Sequence, residues 1–503
     1  MDPIIQGITL ILDPYNLLLI LGAVIMGVLV GALPGLSSTL AVALLLPFTL
    51  QLDPIPAIAM MSALYCAGTF GGSITAILIN TPGAPPAVAT ALDGFPLAQR
   101  GEAGRALGIA AVSSVAGGMF SLLIFIVATP MLAKIALSFR PQEYFALALF
   151  GLSMLASISG KSSLRNLIAG AFGVLVATIG IHETTGVERF VFSIPEFVEG
   201  IGFVPVLIGL FAMAELLNQS SKLDSAVERV KSIAIKLPSM ADFKLIRWTV
   251  ARSAVIGTFI GVLPAEGSTV AAIIGYNEAK RWSKNKAEFG KGAIEGIAGP
   301  ETANNAATGG AMVPTLALGI PGSGTTAVIL AALMVHGLRP GPYLIQNTPH
   351  FVYAIFTAMF IANVLFLILG LPGAKLFARI TLIPRQFLWP SVFVFSMIGA
   401  YALNQSLFDV WVMLLSGVLG FFMLRHGFGP APFVMGLILG RLVEENWSRA
   451  MIILDNNFLR FFESWIVDLF FVLTIMGLFG PFLFRQLNRL MNKMKPQGRV
   501  SGD

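Results

Sequence analysis

The sequence has little of what soluble enzymes and secreted proteins depend on. Only 12% of its 503 residues are charged, against about 25% in an ordinary soluble domain. A single cysteine, Cys66, excludes an internal disulfide, and the four histidines lack metal-ligand spacing. A phosphate-binding loop is also missing, because Thr325 stands where such a loop needs its lysine. We therefore expect no enzyme, no metal centre and no cofactor.

Apolar residues make up 56% of the chain instead. Apolar stretches of about 20 residues, the length that crosses a bilayer, recur from Leu17 to Phe484. They suffice for about twelve spans or part-spans. The sequence thus predicts an all-α polytopic integral membrane protein with about twelve transmembrane or part-spanning helices.

Basic residues are unevenly distributed between these apolar stretches. No Lys or Arg precedes Arg100, whereas residues 222–252 and 485–503 are rich in both. Because Lys and Arg accumulate in cytoplasmic loops, these two segments are predicted to be a cytoplasmic linker and a cytoplasmic tail. They divide the chain into a first half, residues 1–221, and a second half, residues 253–484.

The second half repeats unusual sequence of the first. Residues 31–41, GALPGLSSTLA, return 230 positions later as residues 261–271, GVLPAEGSTVA. A second pair of Pro/Gly motifs falls within residues 80–88 and 299–328. Acidic residues flank the first block and basic residues the second, so the two blocks are expected to open to opposite sides. This pattern predicts two inverted repeats with broken, re-entrant helical hairpins.

The Pro/Gly motifs interrupt apolar segments and are followed by hydroxyl side chains. Backbone freed at membrane depth must line protein or a water cavity, and the start of each new half-helix attracts anions. We therefore expect these hydroxyls to cap the half-helices or to contact an anionic substrate. The alternative is that small residues merely let membrane helices pack closely. The hydroxyl residues are Ser37, Ser38, Thr39, Ser268, Thr269, Ser323, Thr325 and Thr326.

Positive charge is missing from the same motifs. No Lys or Arg occurs within residues 31–50, 65–90, 261–276 or 300–335, so a bound anion would need a co-bound cation such as Na⁺. Exposed carbonyls near each break can bind Na⁺, and intramembrane carboxylates are functional candidates. Glu301 can equally be a helix cap near the membrane interface. The candidates for cation binding or coupling are Gly31, Gly261, Glu266, Ser268, Thr269 and Glu301.

The motifs resemble one family of bacterial permeases. Gly31-x-Leu-Pro-Gly-Leu-Ser, Asp93-Gly94-x-Pro96, Gly299-Pro-Glu-Thr-Ala-Asn-Asn-Ala-Ala and Gly319-Ile-Pro-Gly-Ser-Gly-Thr-Thr-Ala-Val are similar to those of the large permease subunit of tripartite tricarboxylate transporters, the TctA family. The resemblance extends over nearly the whole chain, and the Gly299 and Gly319 motifs are the most specific.

This resemblance implies a multi-pass permease of the bacterial inner membrane. Such a subunit works with a small membrane subunit and a periplasmic solute-binding protein, and it imports citrate or another carboxylate, usually with Na⁺. The family motifs then imply a substrate site formed by Pro34, Gly35, Ser37, Ser38, Thr39, Asn304, Asn305, Pro321, Gly322, Ser323, Thr325 and Thr326.

Two other classes of function remain open. A channel would use the broken helices to line a continuous pore, and a membrane scaffold would carry no flux. The sequence also leaves open which carboxylate is carried, whether Na⁺ or H⁺ is coupled, the oligomeric state, and an elevator or rocking mechanism.

Overall fold

The computed structural model describes residues 2–33, 35–157, 163–220, 238–264, 267–380 and 385–494. In the first half the helices are α1 (Pro3–Ile11), α2 (Pro14–Ala32), α3 (Ser38–Thr49), α4 (Pro54–Ile79), α5 (Ala87–Leu97), α6 (Ala103–Ala136), α7 (Pro141–Ser157), α8 (Ser163–Ala177), α9 (Phe203–Ile208) and α10 (Ala214–Ser220). Strands β1 (Gly180–Ile181) and β2 (Glu188–Arg189) pair antiparallel between α8 and α9.

The second half is also helical. Its helices are α11 (Met240–Val262), α12 (Gly267–Trp282), α13 (Ile294–Leu318), α14 (Gly324–Val335), α15 (Pro342–Asn347), α16 (Pro349–Ile380), α17 (Arg385–Asn404), α18 (Leu407–Arg425), α19 (Pro430–Ile453) and α20 (Trp465–Met494). The end of the predicted linker 222–252 belongs to α11, and α20 extends into the predicted tail. Pro34, Glu266, linker residues 222–237 and tail residues 495–503 lie outside the described residues.

Several of these helices fit a membrane. Among the described residues, six helical segments are long and apolar enough to cross a bilayer, and five shorter apolar helices accompany them. The predicted all-α polytopic class is thereby confirmed. The six segments are Pro14–Ala32, Pro54–Ile79, Ala87–Ala136, Met240–Val262, Pro349–Gly370 and Leu407–Arg425.

The chain marks its first helix starts with Asp-Pro pairs. Aspartate is a good N-cap, and proline suits the first helical position because its missing N–H has no helical partner there. Asp2 accepts a hydrogen bond from the Ile4 N–H (2.9 Å), and Asp13 accepts one from the Tyr15 N–H (3.0 Å). These caps begin α1 and α2, so that the first membrane span starts at a sequence-defined point.

Helices α4 and α13 form the centre of the molecule. Both are buried along nearly their whole length, and both are rich in Ala, Gly, Ser and Thr. Small residues allow close helix approach in a membrane, where dispersion contacts and hydrogen bonds drive association. Helix α4 packs against α2 and α16, while α13 packs against α6, α11 and α12. Helices α4 and α13 therefore form a buried core against which neighbouring helices of both halves pack.

The same close crossing occurs in both halves. Gly31 of α2 lies so close to Gly68 of α4 that a Cβ would overlap the Gly68 carbonyl oxygen. Gly261 of α11 lies in the same way against Ala307 of α13, where a Cβ would be 2.5 Å from the carbonyl oxygen. This recurrence is the packing expected of a duplicated unit. The inverted orientation of the two units stays a prediction.

The two halves also contact each other through α5 and α14, the helices that follow the two hairpin turns. Helix α14 packs beside α3, with Thr39 contacting Thr325 at one end and Thr49 contacting His336 at the other. Helix α5 packs against α12 and, through Asp93, against the segment before α13. One oxygen of the buried Asp93 carboxylate accepts the N–H groups of residues 290–293 at 2.8–3.1 Å. Each hairpin is thus anchored to the opposite half.

Candidate functional site

Two helix breaks have the same local geometry. Leu33 ends α2 and Leu263 ends α11, both with extended backbone (ψ 122° and 129°). Each leucine precedes a proline, and a residue before proline is disfavoured in the helical region. The Leu-Pro pair therefore stops the first helix in each half, and α3 and α12 begin a few residues later.

Two hairpin turns are also alike. Helix α4 ends at Asn80 and α13 ends at Gly319, both in left-handed backbone (φ 50° and 72°). The Asn80 N–H donates to the Thr75 carbonyl, and the Gly319 N–H donates to the Pro314 carbonyl. Asparagine and glycine are the residues that tolerate this conformation at a helix end. Helices α5 and α14 follow these turns.

The starts of α3, α5, α12 and α14 meet at one cavity of about 530 Å³. A helix N-terminus carries unpaired N–H groups and partial positive charge, so four of them form an environment suited to an anion. Nine of the residues predicted for the site line this cavity. They are Gly35, Ser37, Ser38, Thr39, Ser268, Thr269, Asn304, Ser323 and Thr325.

Hydroxyl groups connect the walls of the cavity. The Thr39 and Thr325 Oγ1 atoms are 2.7 Å apart, which joins the starts of α3 and α14. Ser323 caps α14: its Oγ accepts the Thr326 N–H (3.2 Å), and the Thr326 Oγ1 accepts the Ser323 N–H (2.9 Å). The Tyr65 hydroxyl of α4 lies 3.4 Å from the Ser323 Oγ. The second hairpin thus presents a preorganised row of hydroxyls.

Asn304 offers an acceptor without a donor. Its Nδ2 atom donates to the Thr69 carbonyl at 3.4 Å, but its buried Oδ1 atom has no hydrogen-bond partner in the described part of the chain. Buried polar atoms are almost always paired in folded proteins. Asn304 lines the cavity, so this unpaired oxygen belongs to a residue in the wall of the candidate site.

Other predicted substrate residues shape the site without lining it. Asn305 donates to the Glu301 carbonyl at 3.1 Å, within its own helix. The Gly322 N–H donates to the Thr315 Oγ1 at 3.3 Å in the turn that also contains Pro321. Thr326 belongs to the cap of α14. Direct substrate binding by these residues stays a prediction.

The predicted cation residues separate into distinct places. Ser268 and Thr269 line the cavity at the start of α12. Gly31 and Gly261 lie at the helix crossings described above and do not line it, so their role as carbonyl ligands of a cation also stays a prediction.

Glu301 is fully buried in the interior of α13. The alternative that it caps a helix near the interface is wrong, because α13 begins seven residues earlier at Ile294. Its Oε1 accepts hydrogen bonds from Ser73 and from the Thr90 Oγ1 (2.5 Å), and its Oε2 accepts one from the Ser114 Oγ (2.9 Å).

The charge around the cavity differs from that of a typical anion site. No Lys, Arg or His is found among the described residues that line it, and the charged residue there is Glu215 of α10. Glu215 is partly exposed and accepts a hydrogen bond from the Gln219 Nε2 at 2.8 Å. An anion in this cavity would therefore rely on helix N-termini, hydroxyls and a cation for compensation.

Tyr65, Thr69 and Glu215 were not anticipated from the sequence, although all three contribute to the cavity or its contacts. Tyr65 and Thr69 lie one helical turn apart inside an apolar helix, where sequence alone offers no break or cap to mark them. Glu215 sits far from every Pro/Gly motif, in the short helix α10. Only the fold brings these residues together.

Comparisons with known proteins find sequence relatives over most of the chain. The model of the tripartite tricarboxylate transporter TctA family matches residues 17–435. An Agrobacterium vitis protein, described as "Uncharacterized 52.8 kDa protein in TAR-I ttuC' 3'region", is 41% identical over 450 residues, which cover 89% of each chain. A second A. vitis protein, from the TAR-II ttuC' 3'region, is 44% identical over 197 residues, covering 39% of this chain and 81% of its own. No solved structure matches.

The family model covers most of the chain, and the apolar helices identify a multi-pass membrane protein. The chain therefore belongs to the TctA family and is a component of a tripartite tricarboxylate transporter.

Proposed function

We propose that this chain is the permease of a secondary active transporter that imports a di- or tricarboxylate such as citrate by cation symport. The observation that carries the proposal is the meeting of four half-helix N-termini at one hydroxyl-lined cavity. Half-helix N-termini directed at an anionic substrate are a recurrent device of transporters with broken helices. Citrate would place carboxylates near the N–H groups at the starts of α3 and α14, which line the cavity.

A co-transported cation follows from the charge of the cavity. Helix N-termini supply only partial charges, and Glu215 adds a negative one. A multivalent anion is therefore under-compensated without a cation. We propose Na⁺ as that co-substrate, bound by carbonyl groups at the breaks within residues 31–35 and 261–264, where backbone leaves the helix.

The proposal includes two partners and a location. In a tripartite system of this family, the permease would pair with a small membrane subunit and receive substrate from a periplasmic binding protein, at the bacterial inner membrane. As a mechanism, the parts that bear the hairpins would move against the remaining helices. Helix α14 contacts α3, and α5 contacts α12. During such motion each of these pairs would either move as one unit or separate.

Uptake into proteoliposomes tests the function. The full chain and its small subunit are reconstituted, and radiolabelled citrate and other di- and tricarboxylates are supplied with and without an inward Na⁺ gradient and the cognate binding protein. We expect saturable uptake that needs Na⁺ and the binding protein and that an inward Na⁺ gradient drives. Non-saturating flux that needs neither would contradict symport and favour a channel. No uptake of any member of the panel would contradict carboxylate transport and favour a scaffold.

A further inference from the structure

We propose that Glu301 is a proton-binding site of the transport cycle, placed directly behind the substrate cavity. This inference rests on the proposed function and names a coupling step for it. One proton would bind a carboxylate oxygen of Glu301 and leave it again in each cycle, converting the carboxylate into a neutral carboxyl group and back.

The surroundings of Glu301 suit both protonation states. An ionised carboxylate can only accept hydrogen bonds, and here it accepts three, from hydroxyls on α4, α5 and α6. No Lys, Arg or His of the described residues forms an ion pair with it. A buried carboxylate compensated by hydroxyls alone is the kind of intramembrane group that marks proton pathways.

The contacts favour a proton over a metal ion. The Thr90 Oγ1 and the Ser114 Oγ lie 2.5 and 2.9 Å from the carboxylate oxygens, which is the separation of O–H···O hydrogen bonds. Hydroxyl donors thus occupy three of the roughly four acceptor positions of the carboxylate, which leaves a position for a proton but not for the coordination shell of a metal ion.

Other ionisable groups on the helices packed around α13 are engaged elsewhere. Asp93 of α5 binds the backbone of residues 290–293, and Arg105 of α6 pairs with Asp242 of α11. Glu295 of α13 accepts from Thr249 and Ser283, and Arg252 of α11 lies over the Trp282 ring of α12. Tyr65 and Cys66 on α4 are about two helical turns from Ser73, and Tyr276 on α12 packs against Phe289. None of these groups is a hydrogen-bond partner of the Glu301 carboxylate, whose partners are the three hydroxyls.

The site connects to the cavity through three helices. Thr69 and Asn304 line the cavity, and each lies one turn from Ser73 or Glu301 on the same helix. Val88, at the start of α5, also lines it, two residues before Thr90. A change in charge at Glu301 therefore acts close to α4, α5 and α13, which all contribute residues to the cavity wall.

Protonation has a defined consequence for these hydrogen bonds. The neutral carboxyl group must donate its own proton, so one of the three hydroxyls has to turn away and accept instead. A serine in a helix can then donate to the carbonyl four residues earlier, which for Ser73 is that of Thr69. The Thr69 carbonyl already accepts from the Asn304 Nδ2 at 3.4 Å. Turning Ser73 would therefore compete with Asn304 and alter the cavity wall.

The variant Glu301→Gln distinguishes proton coupling from substrate binding and translocation. In proteoliposomes that hold the full chain and its small subunit, with the binding protein supplied and equal Na⁺ concentrations on both sides, radiolabelled citrate accumulation is driven by an acidic outside. One pH unit can support about tenfold accumulation per proton. We expect wild-type accumulation and none for Glu301→Gln, while citrate counterflow, which needs no net proton movement, stays within about twofold of wild type. Glu295→Gln, on the same helix and also bonded to hydroxyls, is the matched control and should behave as wild type.

Each remaining outcome is decisive. Accumulation by Glu301→Gln on a pH gradient, or loss of its counterflow in folded protein, would overturn the proposal. Wild type that accumulates citrate on a Na⁺ gradient but not on a pH gradient would also overturn it and leave the proposed function intact. If Glu301→Gln does not fold, Ser114→Ala replaces it, because deleting one donor to the ionised form should raise the pH of half-maximal uptake. An unchanged pH profile there would count against the site.

Discussion

The two hairpin turns, 80–87 after α4 and 319–324 after α13, share a backbone form and differ in chemistry. Both start with a left-handed residue and continue through Pro-Gly. The second then has Ser323, Gly324 and Thr325, with side-chain capping bonds and a hydroxyl contact to α3. The first has Ala84, Pro85 and Pro86 at these places, and α5 begins without a side-chain cap bond.

This difference suggests a division of labour. Prolines fix the backbone and offer no N–H donor, so the first turn contributes the partial positive charge of the α5 start but fewer N–H donors than the second turn. The second turn keeps N–H donors and adds hydroxyls, so it provides the larger share of polar contacts. The two repeated turns thus differ in chemistry at the wall of the cavity.

Removing the hydroxyls of the second turn should have the largest effect. We expect Ser323→Ala combined with Thr325→Val to lower carboxylate uptake about 100-fold, because hydrogen bonds to charged groups contribute about 1.5–3 kcal/mol each. Radiolabelled uptake at substrate concentrations below saturation measures this loss. The control is Thr326→Val, which disturbs the same cap without lining the cavity; an equal loss in that variant would assign the effect to the cap.

The Asp93 contacts and the Thr49–His336 contact, which anchor the two hairpins, should contribute unequally to the free energy of unfolding. Asp93→Ala leaves the N–H groups of residues 290–293 without their acceptor and should cost roughly 2 kcal/mol of stability. His336→Ala removes one partly buried contact to Thr49 at 3.3 Å and should cost less than about 1 kcal/mol. Thermal unfolding of the detergent-purified variants, followed by the loss of the monodisperse peak in size-exclusion chromatography, ranks them. A larger loss for His336→Ala would contradict this assignment of the anchors.

The contact between α3 and α14 should have an intermediate effect on transport. Thr39→Val keeps the shape but deletes the hydroxyl bonded to Thr325, and a neutral hydrogen bond contributes about 1 kcal/mol. We expect uptake to fall about fivefold. Thr39→Ser keeps the hydroxyl and should stay near wild type in the same assay. Equal losses in both variants would mean that the methyl packing matters and the hydroxyl does not.

Adding a hydroxyl to the first turn should have the smallest effect. Ala84→Ser should leave uptake within about twofold of wild type, since the bound anion is held by the second turn. Initial uptake rates of this variant and of Ser323→Ala, measured side by side, give the comparison. A loss at Ala84→Ser as large as that at Ser323→Ala would remove the asymmetry on which the division of labour depends.

Local sequence was sufficient for the breaks and caps. Leu-Pro pairs stop α2 and α11, and Ser37 and Ser323 cap the helices that follow, as their positions after the Pro/Gly motifs predict. The membrane class follows from composition in the same direct way. These features depend on neighbouring residues, so the sequence carries them explicitly.

Long-range placement could not be read from the sequence. Asn304 and Asn305 are adjacent and chemically identical, yet one lines the cavity and the other bonds back to its own helix, because successive helical residues point about 100° apart. The three hydroxyls around Glu301 come from three helices of the other half. Such assignments need the packing of the helices and not only their boundaries.

The most direct test of the cavity as the carboxylate site is protection from thiol labelling. The single cysteine, Cys66, is buried, so Ser38→Cys in a Cys66→Ala background gives one defined thiol at the partly exposed start of α3, which lines the cavity. Ser138→Cys, at an exposed position, is the control. We expect saturating transported carboxylate, with Na⁺, to slow maleimide labelling of Ser38→Cys about tenfold and to leave Ser138→Cys unchanged. Equal labelling rates at Ser38→Cys with and without the carboxylate would contradict the account.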